Sequence, residues 1–227
     1  MDTKANNLPK VATLIPSLDD ILEGGLPRGR TTLINGGPGI GKSILALEII
    51  YRGAMAGKPG IFLSFEERAV NIRLNARTLG WDLEALEKQG KLALIEARVD
   101  PEAVVSGEFS IKGLLSIIEG QSKKIGATRV VFDALDVLMR LFDDPNRERN
   151  ELYALNNWLL DHDMTSVITV KAAEGGDILP RYGFLEFMAD CVIFLSQKPT
   201  EQAPTRQLQV IKYRGSGFGS NTYPFVI

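Results

Sequence analysis

The chain has 227 residues, of which 44% are hydrophobic and 24% are charged, and its formal net charge is −2. That length and composition fit one large α/β domain, and no stretch approaches the ~18 apolar residues of a membrane span. The charge balance gives no general attraction to nucleic acid phosphates. We therefore expect a single cytoplasmic domain over residues 11–227, preceded by a polar tail over residues 1–10, with neither a membrane nor nucleic acid as its partner.

Apolar β-branched runs alternate with helical patterns, which predicts βαβ units and a mostly parallel sheet flanked by helices. In chain order we expect a strand over 31–35, a helix over 43–56, a strand over 60–65, a helix over 68–80 with Leu74 on its apolar face, a strand over 91–97, a helix over 111–126, a strand over 128–133, a helix over 147–160 and a strand over 164–170. Strands over 191–196, 206–214 and 223–227 then follow without helices between them, and we expect these to pair antiparallel at a sheet edge. Segments rich in small or turn residues, 98–109, 172–180, 197–205 and 215–222, are expected to be surface or active-site loops.

The single cysteine and the single histidine favour structural roles. Cys191 lies in the apolar run CVIFL, where a free thiol behaves as a small hydrophobic side chain, so we expect it in the core. His162 follows a helical pattern and is flanked by two aspartates, which predicts a helix end rather than a metal site.

Residues 36–43, GGPGIGKS, match the phosphate-binding pattern G-x-x-x-x-G-K-[ST] and stand between a predicted strand and a predicted helix. Glycines let backbone N–H groups curl round a phosphate, and the helix dipole adds to the attraction. We expect Lys42 to hold the β- and γ-phosphates and Ser43 to ligate Mg²⁺. The predicted nucleotide-binding residues are Gly36, Gly37, Pro38, Gly39, Ile40, Gly41, Lys42, Ser43 and Ile44.

Such a magnesium site needs a second acid, usually at the end of a neighbouring buried strand. Asp133 ends the predicted strand RVVFD and is the candidate. It would also suit the N-cap of the helical pattern that follows, and the two roles are compatible.

Glu66 and Glu67 stand side by side where the strand over 60–65 ends. The helix that follows is one explanation, because its dipole stabilises acids near its N-terminus. Beside a phosphate cradle there is a second explanation: residues at strand ends line the crevice of an open α/β sheet, where a carboxylate orients or deprotonates the attacking water. Two neighbouring acids also raise one another's pKa, which favours a base near neutral pH.

Lys212 and Arg214 occupy alternate positions in the run KYRGSGFGS and so share one face of a strand. On spacing alone, an ordinary solvated strand face explains them. In a nucleotide-hydrolysing site they would instead offset negative charge on the transferred phosphoryl group, and the sequence does not say whose phosphate they meet.

The sequence resembles the RecA-like ATPase domain of the KaiC family, its first half more than its second, over about residues 8–227. The strings that carry the likeness are GGLPRGRTTLINGGPGIGKS, SFEERAVNIRLNARTLGWDL, GKLALIEA, RYGFLEF, KYRGSG and YPFVI. The resemblance implies a RecA-like P-loop core that binds ATP and Mg²⁺ and assembles into hexameric rings, with ATP at each subunit interface. It also implies a KaiB-like or other signalling protein as a partner.

By that resemblance the site is shared between two subunits. The implied catalytic residues are Glu66, Glu67, Lys42, Lys212 and Arg214. Asp133 corresponds to the Walker B acid, and the two C-terminal cations correspond to residues that reach the γ-phosphate held by the adjacent subunit. Further nucleotide contacts are implied at Thr78, Lys212, Tyr213, Arg214 and Ser216.

The chain departs from the family pattern at three places. Phe218 stands where the first half commonly has a histidine, and Lys171 and Ala172 stand where an acidic residue and an arginine are usual. Glu186 and Phe187 occupy the places of the adjacent Ser and Thr acceptors in the family's autokinase half. We therefore expect differences in base or ribose contact and in phosphate sensing, and no hydroxyl acceptor.

The favoured function is slow, Mg-dependent ATP hydrolysis at the interfaces of a KaiC-like ring, which couples nucleotide state to partner binding in circadian or signalling regulation. A KaiC-type serine/threonine autokinase is an alternative that the missing acceptors disfavour. A RecA-like nucleic-acid-binding ATPase is another, disfavoured by the net charge and the lack of an aromatic-basic platform. A scaffold that binds ATP without hydrolysing it is a third, and the intact glutamates count against it.

Overall fold

A computed structural model describes residues 8–97, 99–106, 108–172, 183–198 and 205–226. Its strands are β1 (Lys10–Val11), β2 (Leu26–Pro27), β3 (Thr31–Gly36), β4 (Gly60–Ser64), β5 (Leu92–Glu96), β6 (Arg129–Asp133), β7 (Thr165–Lys171), β8 (Cys191–Lys198), β9 (Thr205–Tyr213) and β10 (Thr222–Pro224). Its helices are α1 (Pro16–Ile21), α2 (Lys42–Met55), α3 (Ala69–Thr78), α4 (Leu83–Lys88), α5 (Pro101–Ser106), α6 (Ile111–Ile125), α7 (Leu135–Met139), α8 (Pro145–Asp161) and α9 (Gly183–Met188).

The main sheet has eight strands in the order β10-β9-β8-β3-β7-β6-β4-β5. The strands from β8 to β5 pair parallel, whereas β9 and β10 pair antiparallel at one edge. This confirms the predicted mostly parallel sheet with antiparallel strands toward the C-terminus. Because β3 lies between β8 and β7 and is parallel to both, its carboxyl end lies in the middle of the sheet, beside the carboxyl ends of the neighbouring strands. Ligands of open α/β sheets bind at this side of the sheet.

Helices cover both faces of the sheet, and the core therefore forms two clusters. Neighbouring residues of β3 belong to different clusters: Leu33 packs on the side of α6 and α8, and Ile34 packs on the side of α2. Every position of β3 is buried, as expected for a parallel strand covered on both faces. Cys191 is 0% exposed, which confirms its predicted place in the core.

The ladder between β8 and β9 contains one irregularity. Ile193 pairs with Val210, but the preceding Val192 pairs with Lys212, so β9 carries an extra residue at this point. Val210 and Tyr213 are both buried in the α2-side cluster as a result.

The long predicted elements are confirmed, while several short ones were not predicted. The segment expected to be a loop over 98–109 contains α5, and α1, α4, α7 and α9 are each one to two turns long, too short for a periodic apolar pattern. Leu74 is 54% exposed, so its predicted burial was wrong; α3 instead buries Ala69, Ile72 and Ala76. His162 is the C-cap of α8, as predicted.

Residues 1–7 of the predicted tail lie outside the described residues, and Lys10 already belongs to β1, where its Nζ donates to the carbonyl oxygens of Leu22 and Glu23. Parts of two predicted loops, 173–180 and 199–204, also lie outside the described residues. Among the helices of the described residues, none has the length and apolar character needed to span a bilayer.

Candidate nucleotide site

The loop between β3 and α2 forms a backbone cradle at the carboxyl end of the sheet. Gly39 and Gly41 have φ angles of 68° and 108°, in the left-handed region that glycine adopts without strain. Gly36 lies so close to β8 that a Cβ there would overlap the Leu195 carbonyl oxygen, whereas a Cβ at Gly37 or Gly39 would meet no atom within 4 Å. The floor of the cradle is therefore packed and its mouth is open, which suits a phosphate held by backbone N–H groups.

The Lys42 ammonium group lies over this loop. Its Nζ donates to the carbonyl oxygens of Gly36 and Gly37, at 3.0 Å and 2.7 Å. Burial lowers the Lys42 pKa, and the nearby negative charges of Asp136 and Asp133 oppose that shift. Lys42 is thus placed to meet a phosphate at the mouth of the cradle.

Asp133 ends β6 and is 3% exposed. Its Oδ1 accepts a hydrogen bond from Thr169 Oγ1 at 2.7 Å, and that hydroxyl accepts one from the Ala134 backbone N–H at 2.8 Å. Burial raises the Asp133 pKa, whereas hydrogen bonds from Thr169 and Ser43 oppose the increase. A buried carboxylate beside the Ser43 hydroxyl is a donor pair that suits a hard divalent cation, which would offset the cost of burying the charge.

The alternative reading of Asp133 as a helix N-cap was wrong. Helix α7 begins one residue later, its N-cap is Ala134 in the left-handed region, and no side chain caps it. The Asp133 side chain instead points to Thr169 and Ser43.

The start of helix α3 likewise distinguishes the two explanations of the neighbouring carboxylates Glu66 and Glu67, which are a helix dipole and a role at the phosphate cradle. Helix α3 begins at Ala69 without an acid in its first turn, and the N–H of Ala69 donates to Glu96 of β5 at 2.8 Å. Glu96, rather than either member of the pair, therefore satisfies the start of α3. The helix-dipole explanation does not account for these two carboxylates.

The two glutamates face different cavities. Glu66 lines a cavity of about 380 Å³ together with the cradle, Lys42 and Asp136. Glu67 lines a second cavity of about 380 Å³ with Ser43, Thr78 and several apolar side chains. Both cavities contain Ser43, so the two carboxylates approach one cradle from two sides.

Glu67 is held more firmly than its neighbour by the contacts described. Its backbone N–H donates to Ser64 Oγ at 3.0 Å, and Asn75 Nδ2 donates to its Oε1 at 2.7 Å. Burial, followed by the charges of Asp133 and Glu66, raises the Glu67 pKa, and the Asn75 hydrogen bond opposes the increase. A raised carboxylate pKa beside a phosphate cradle is a feature of general bases.

The C-terminal cations lie away from the cradle of their own chain. Lys212 Nζ contacts the carbonyl oxygens of Glu186 and Phe187, and Arg214 Nη2 donates to Phe187 at 2.8 Å. Through Val192 of β8, Lys212 is level with Leu33, three residues before the cradle begins at Gly36. At strand spacings of ~4.8 Å and ~3.3 Å per residue, this places Lys212 ~10 Å across the sheet and ~10 Å along it from Gly36.

Two further predicted contacts lie near these cations. Tyr213 is 5% exposed, its hydroxyl donates to the Gly25 carbonyl oxygen at 2.7 Å, and burial raises its pKa. Ser216 lines a separate cavity beside Lys10, and its hydroxyl donates to the Gly217 carbonyl oxygen. In one chain the predicted site residues thus divide between the cradle with its two cavities and a distant C-terminal group, and their contacts with nucleotide stay predictions.

Several side chains at the cradle were not predicted from the sequence. Asp136 is 4% exposed and lines the Glu66 cavity, where Arg140 donates to its Oδ2 at 2.6 Å. Asn75 and Thr169 are the partners of Glu67 and Asp133. The four-residue spacing of Asp136 and Arg140 predicts an ion pair on a helix, but it does not predict that the pair lies at the cavity.

The departures from the family pattern have clear positions. Lys171 ends β7 and lines the Glu66 cavity, and Ala172 is buried, with its N–H donating to the Gly36 carbonyl oxygen at 2.9 Å. Phe218 packs against the core. Phe187 is 68% exposed, and the centroid of its ring lies 5.6 Å from the Arg214 guanidinium carbon.

This sheet, with a phosphate cradle after β3 and a buried acid at the end of β6, defines a RecA-like P-loop ATPase domain. The family model described as the ATPase KaiC matches residues 11–227, and the chain belongs to the KaiC family. Both the recognition of the family and the RecA-like fold class are thereby confirmed.

Named relatives support the same conclusion. The circadian clock protein KaiC2 of a Synechocystis strain is 39% identical over 100% of this chain and 40% of its own length. The circadian clock oscillator protein KaiC of Synechococcus elongatus is 36% identical over 97% of this chain and 43% of its own length. The solved structure of a KaiC-like protein from Pyrococcus horikoshii OT3 is similar with a TM-score of 0.85 and 33% identity, over 97% of this chain and 95% of that one. The chain spans less than half the length of these two clock proteins.

Proposed function

We propose that this chain binds Mg·ATP in the cytoplasm and hydrolyses it slowly, at sites formed between two copies of itself in a hexameric ring. Residues 11–227 form the single domain that does so. The cradle, its lysine and its acids come from one copy, and Lys212 and Arg214 come from the next.

The observation that carries this proposal is the position of the two cations. They lie toward the amino ends of the parallel strands, whereas the cradle lies at the carboxyl ends. Their own chain's cradle is therefore farther away than a lysine or arginine side chain spans. Burial and the charge of Arg214 lower the Lys212 pKa, so an anion brought by a second copy would favour its charged form.

Each group has a defined task in the hydrolysis. The Gly36–Ile44 backbone and Lys42 bind the phosphates, and Ser43 and Asp133 would hold Mg²⁺, which would neutralise phosphate charge. Glu66 or Glu67 accepts a proton from the water that attacks the γ-phosphorus, the bond from that phosphorus to the β–γ bridging oxygen breaks, and ADP leaves. Lys212 and Arg214 of the neighbouring copy offset the negative charge on the transferred group.

A complementation experiment tests the shared site. Lys42→Ala and Arg214→Ala should each release little phosphate, since an arginine supplied across an interface contributes ~10³–10⁵ in rate in related enzymes. When equal amounts are reassembled, about a quarter of the interfaces combine an intact cradle with an intact arginine, so about a quarter of the activity should return.

The matched control mixes Lys42→Ala with the double variant Lys42→Ala/Arg214→Ala, which cannot rebuild a site. Light scattering with and without Mg·ATP on the same samples gives the size of the assemblies, and co-purification of an untagged variant with a tagged one shows that the assemblies are mixed. Absence of rescue in proven mixed assemblies would reject the shared site. Phosphate release at the parental rate by Glu66→Gln/Glu67→Gln would reject the hydrolytic mechanism.

The relatives named as circadian clock proteins lead us to propose that nucleotide state controls docking of a KaiB-like or other signalling protein. The supporting argument is the proposed position of the site between copies, because hydrolysis there would change the contacts between them. Binding of such a partner should differ between samples held with a non-hydrolysable ATP analogue and with ADP. Equal binding would refute the coupling and leave the ATPase proposal standing.

A further inference from the structure

The end of β7 brings one more cation to the cradle, and it belongs to the same chain. Lys171 is the last residue of β7 and pairs with Gly36, the first residue of the cradle, in the parallel ladder. The two Cα atoms are therefore ~4.8 Å apart. The ladder continues for one more hydrogen bond, from the Ala172 N–H to the Gly36 carbonyl oxygen at 2.9 Å, so this register is fixed.

Strand alternation directs the Lys171 side chain toward the phosphate side of the sheet. Val170 is 0% exposed and belongs to the core, whereas Thr169 and Lys171 share the opposite face. Thr169 uses that face to hold the Asp133 carboxylate. Lys171 and Thr169 both line the cavity that contains Lys42 and Glu66.

The backbone of Lys171 is anchored by a charged partner. Its N–H donates to Asp136 Oδ1 at 3.3 Å, and Arg140 donates to the other oxygen of this nearly buried carboxylate at 2.6 Å. Asp136 thus engages the backbone of Lys171, and among the described residues no acceptor is recorded for its ammonium group. The Lys171 side chain can extend into the cavity without giving up that anchor.

We propose that Lys171 binds the terminal phosphoryl group of a nucleoside triphosphate held in its own cradle. The inference rests on the proposed function, and it adds a cation from the same chain to those supplied by the neighbour. Its consequence is discrimination: the ammonium group contacts a phosphate that ATP has and ADP lacks. Lys171 would therefore favour the triphosphate state before any neighbour is in place.

The test compares affinities of ADP and a non-hydrolysable ATP analogue in Mg²⁺, by displacement of a fluorescent nucleotide from the full chain. Lys171→Met should weaken the analogue at least about tenfold, the scale of one hydrogen bond to a charged group, and change ADP affinity less than about twofold. Lys171→Arg should keep most of the preference. Lys124→Met, at an exposed position on α6, is the matched loss of one positive charge away from the site.

The outcomes separate this inference from the proposed function. Unchanged analogue affinity in Lys171→Met, or equal weakening of both nucleotides, would overturn the inference while nucleotide binding stands. A wild-type chain that binds neither nucleotide would overturn the proposed function and this inference together. Thermal unfolding of each variant shows whether a change in affinity arises from misfolding, and Lys171→Arg then decides whether charge at this position restores the preference.

Discussion

Removal of the Asn75 amide should move the acid limb of the pH–rate profile to higher pH. Asn75 donates to the Glu67 carboxylate, and this hydrogen bond opposes the increase in the Glu67 pKa that burial and the charges of Asp133 and Glu66 cause. The amide stabilises the ionised form, so Asn75→Ala should raise the pKa further. A general base must be ionised, and activity would then be lost at a higher pH than in the wild type.

The expected shift of the acid limb is modest because the Asn75–Glu67 pair is partly open to solvent. A shielded hydrogen bond to a charged group contributes about 1.5–3 kcal/mol, and solvent screening reduces this to ~0.5–1.4 kcal/mol, or ~0.4–1 pH unit. The maximum rate above the limb should change little. Alanine is also a better helix former than asparagine, so α3 should not be weakened.

The assay is phosphate release at low and saturating Mg·ATP between about pH 5 and 9, which gives kcat/KM and kcat separately. Asn71→Ala, one turn earlier on α3 and exposed, is the control and should leave the limb in place. An unchanged limb in Asn75→Ala would show that Glu67 is not the base and would leave Glu66 as the candidate. Equal shifts in the two variants would refute the reasoning altogether.

Two further predictions concern stability. Asp133→Asn should abolish Mg-dependent hydrolysis and yet raise the free energy of unfolding of the metal-free chain by roughly 0.5–2 kcal/mol, since it removes a buried charge. Burial raises the pKa of Asp133 in the folded state, so the wild-type carboxyl becomes protonated as the pH is lowered. The stability difference between the variant and the wild type should therefore shrink in thermal melts at lower pH. A wild type more stable than the variant at neutral pH would contradict this. Gly36→Ala should lower the free energy of unfolding by about 1–3 kcal/mol, because its Cβ would overlap with Leu195. Gly37→Ala should leave the stability nearly unchanged and weaken nucleotide binding, because its Cβ would enter the open mouth of the cradle. Calorimetry and nucleotide titration of both variants would refute this difference if the two variants behaved alike.

The cradle could be predicted from the sequence because it is local. Its glycines, Lys42 and Ser43 are consecutive in the chain, and their strand-to-helix setting follows from neighbouring apolar patterns. Asp133 and Glu66 could also be assigned to the site from the sequence, since the carboxyl ends of parallel strands meet at one edge of a sheet.

The remaining features depend on contacts between distant segments. That Glu96 satisfies the start of α3 requires β5 to lie beside β4, which no local pattern specifies. The Asp136 carboxylate could not be assigned to the cavity before the turn after β6 was known, because the same spacing to Arg140 occurs on any exposed helix. The distance of Lys212 from its own cradle likewise follows from strand order and register.

The extra residue in β9 determines which face of the sheet the two C-terminal cations occupy. In an unbroken ladder, Lys212 would share the inward face of Leu208 and Val210, and Tyr213 would face outward. A chain that kept this length and the letters KYRG but paired without the irregularity would lose the outward display of both charges. In comparisons among such domains, the pairing of this strand should therefore be compared together with the motif before two cations are assigned to a site shared between copies.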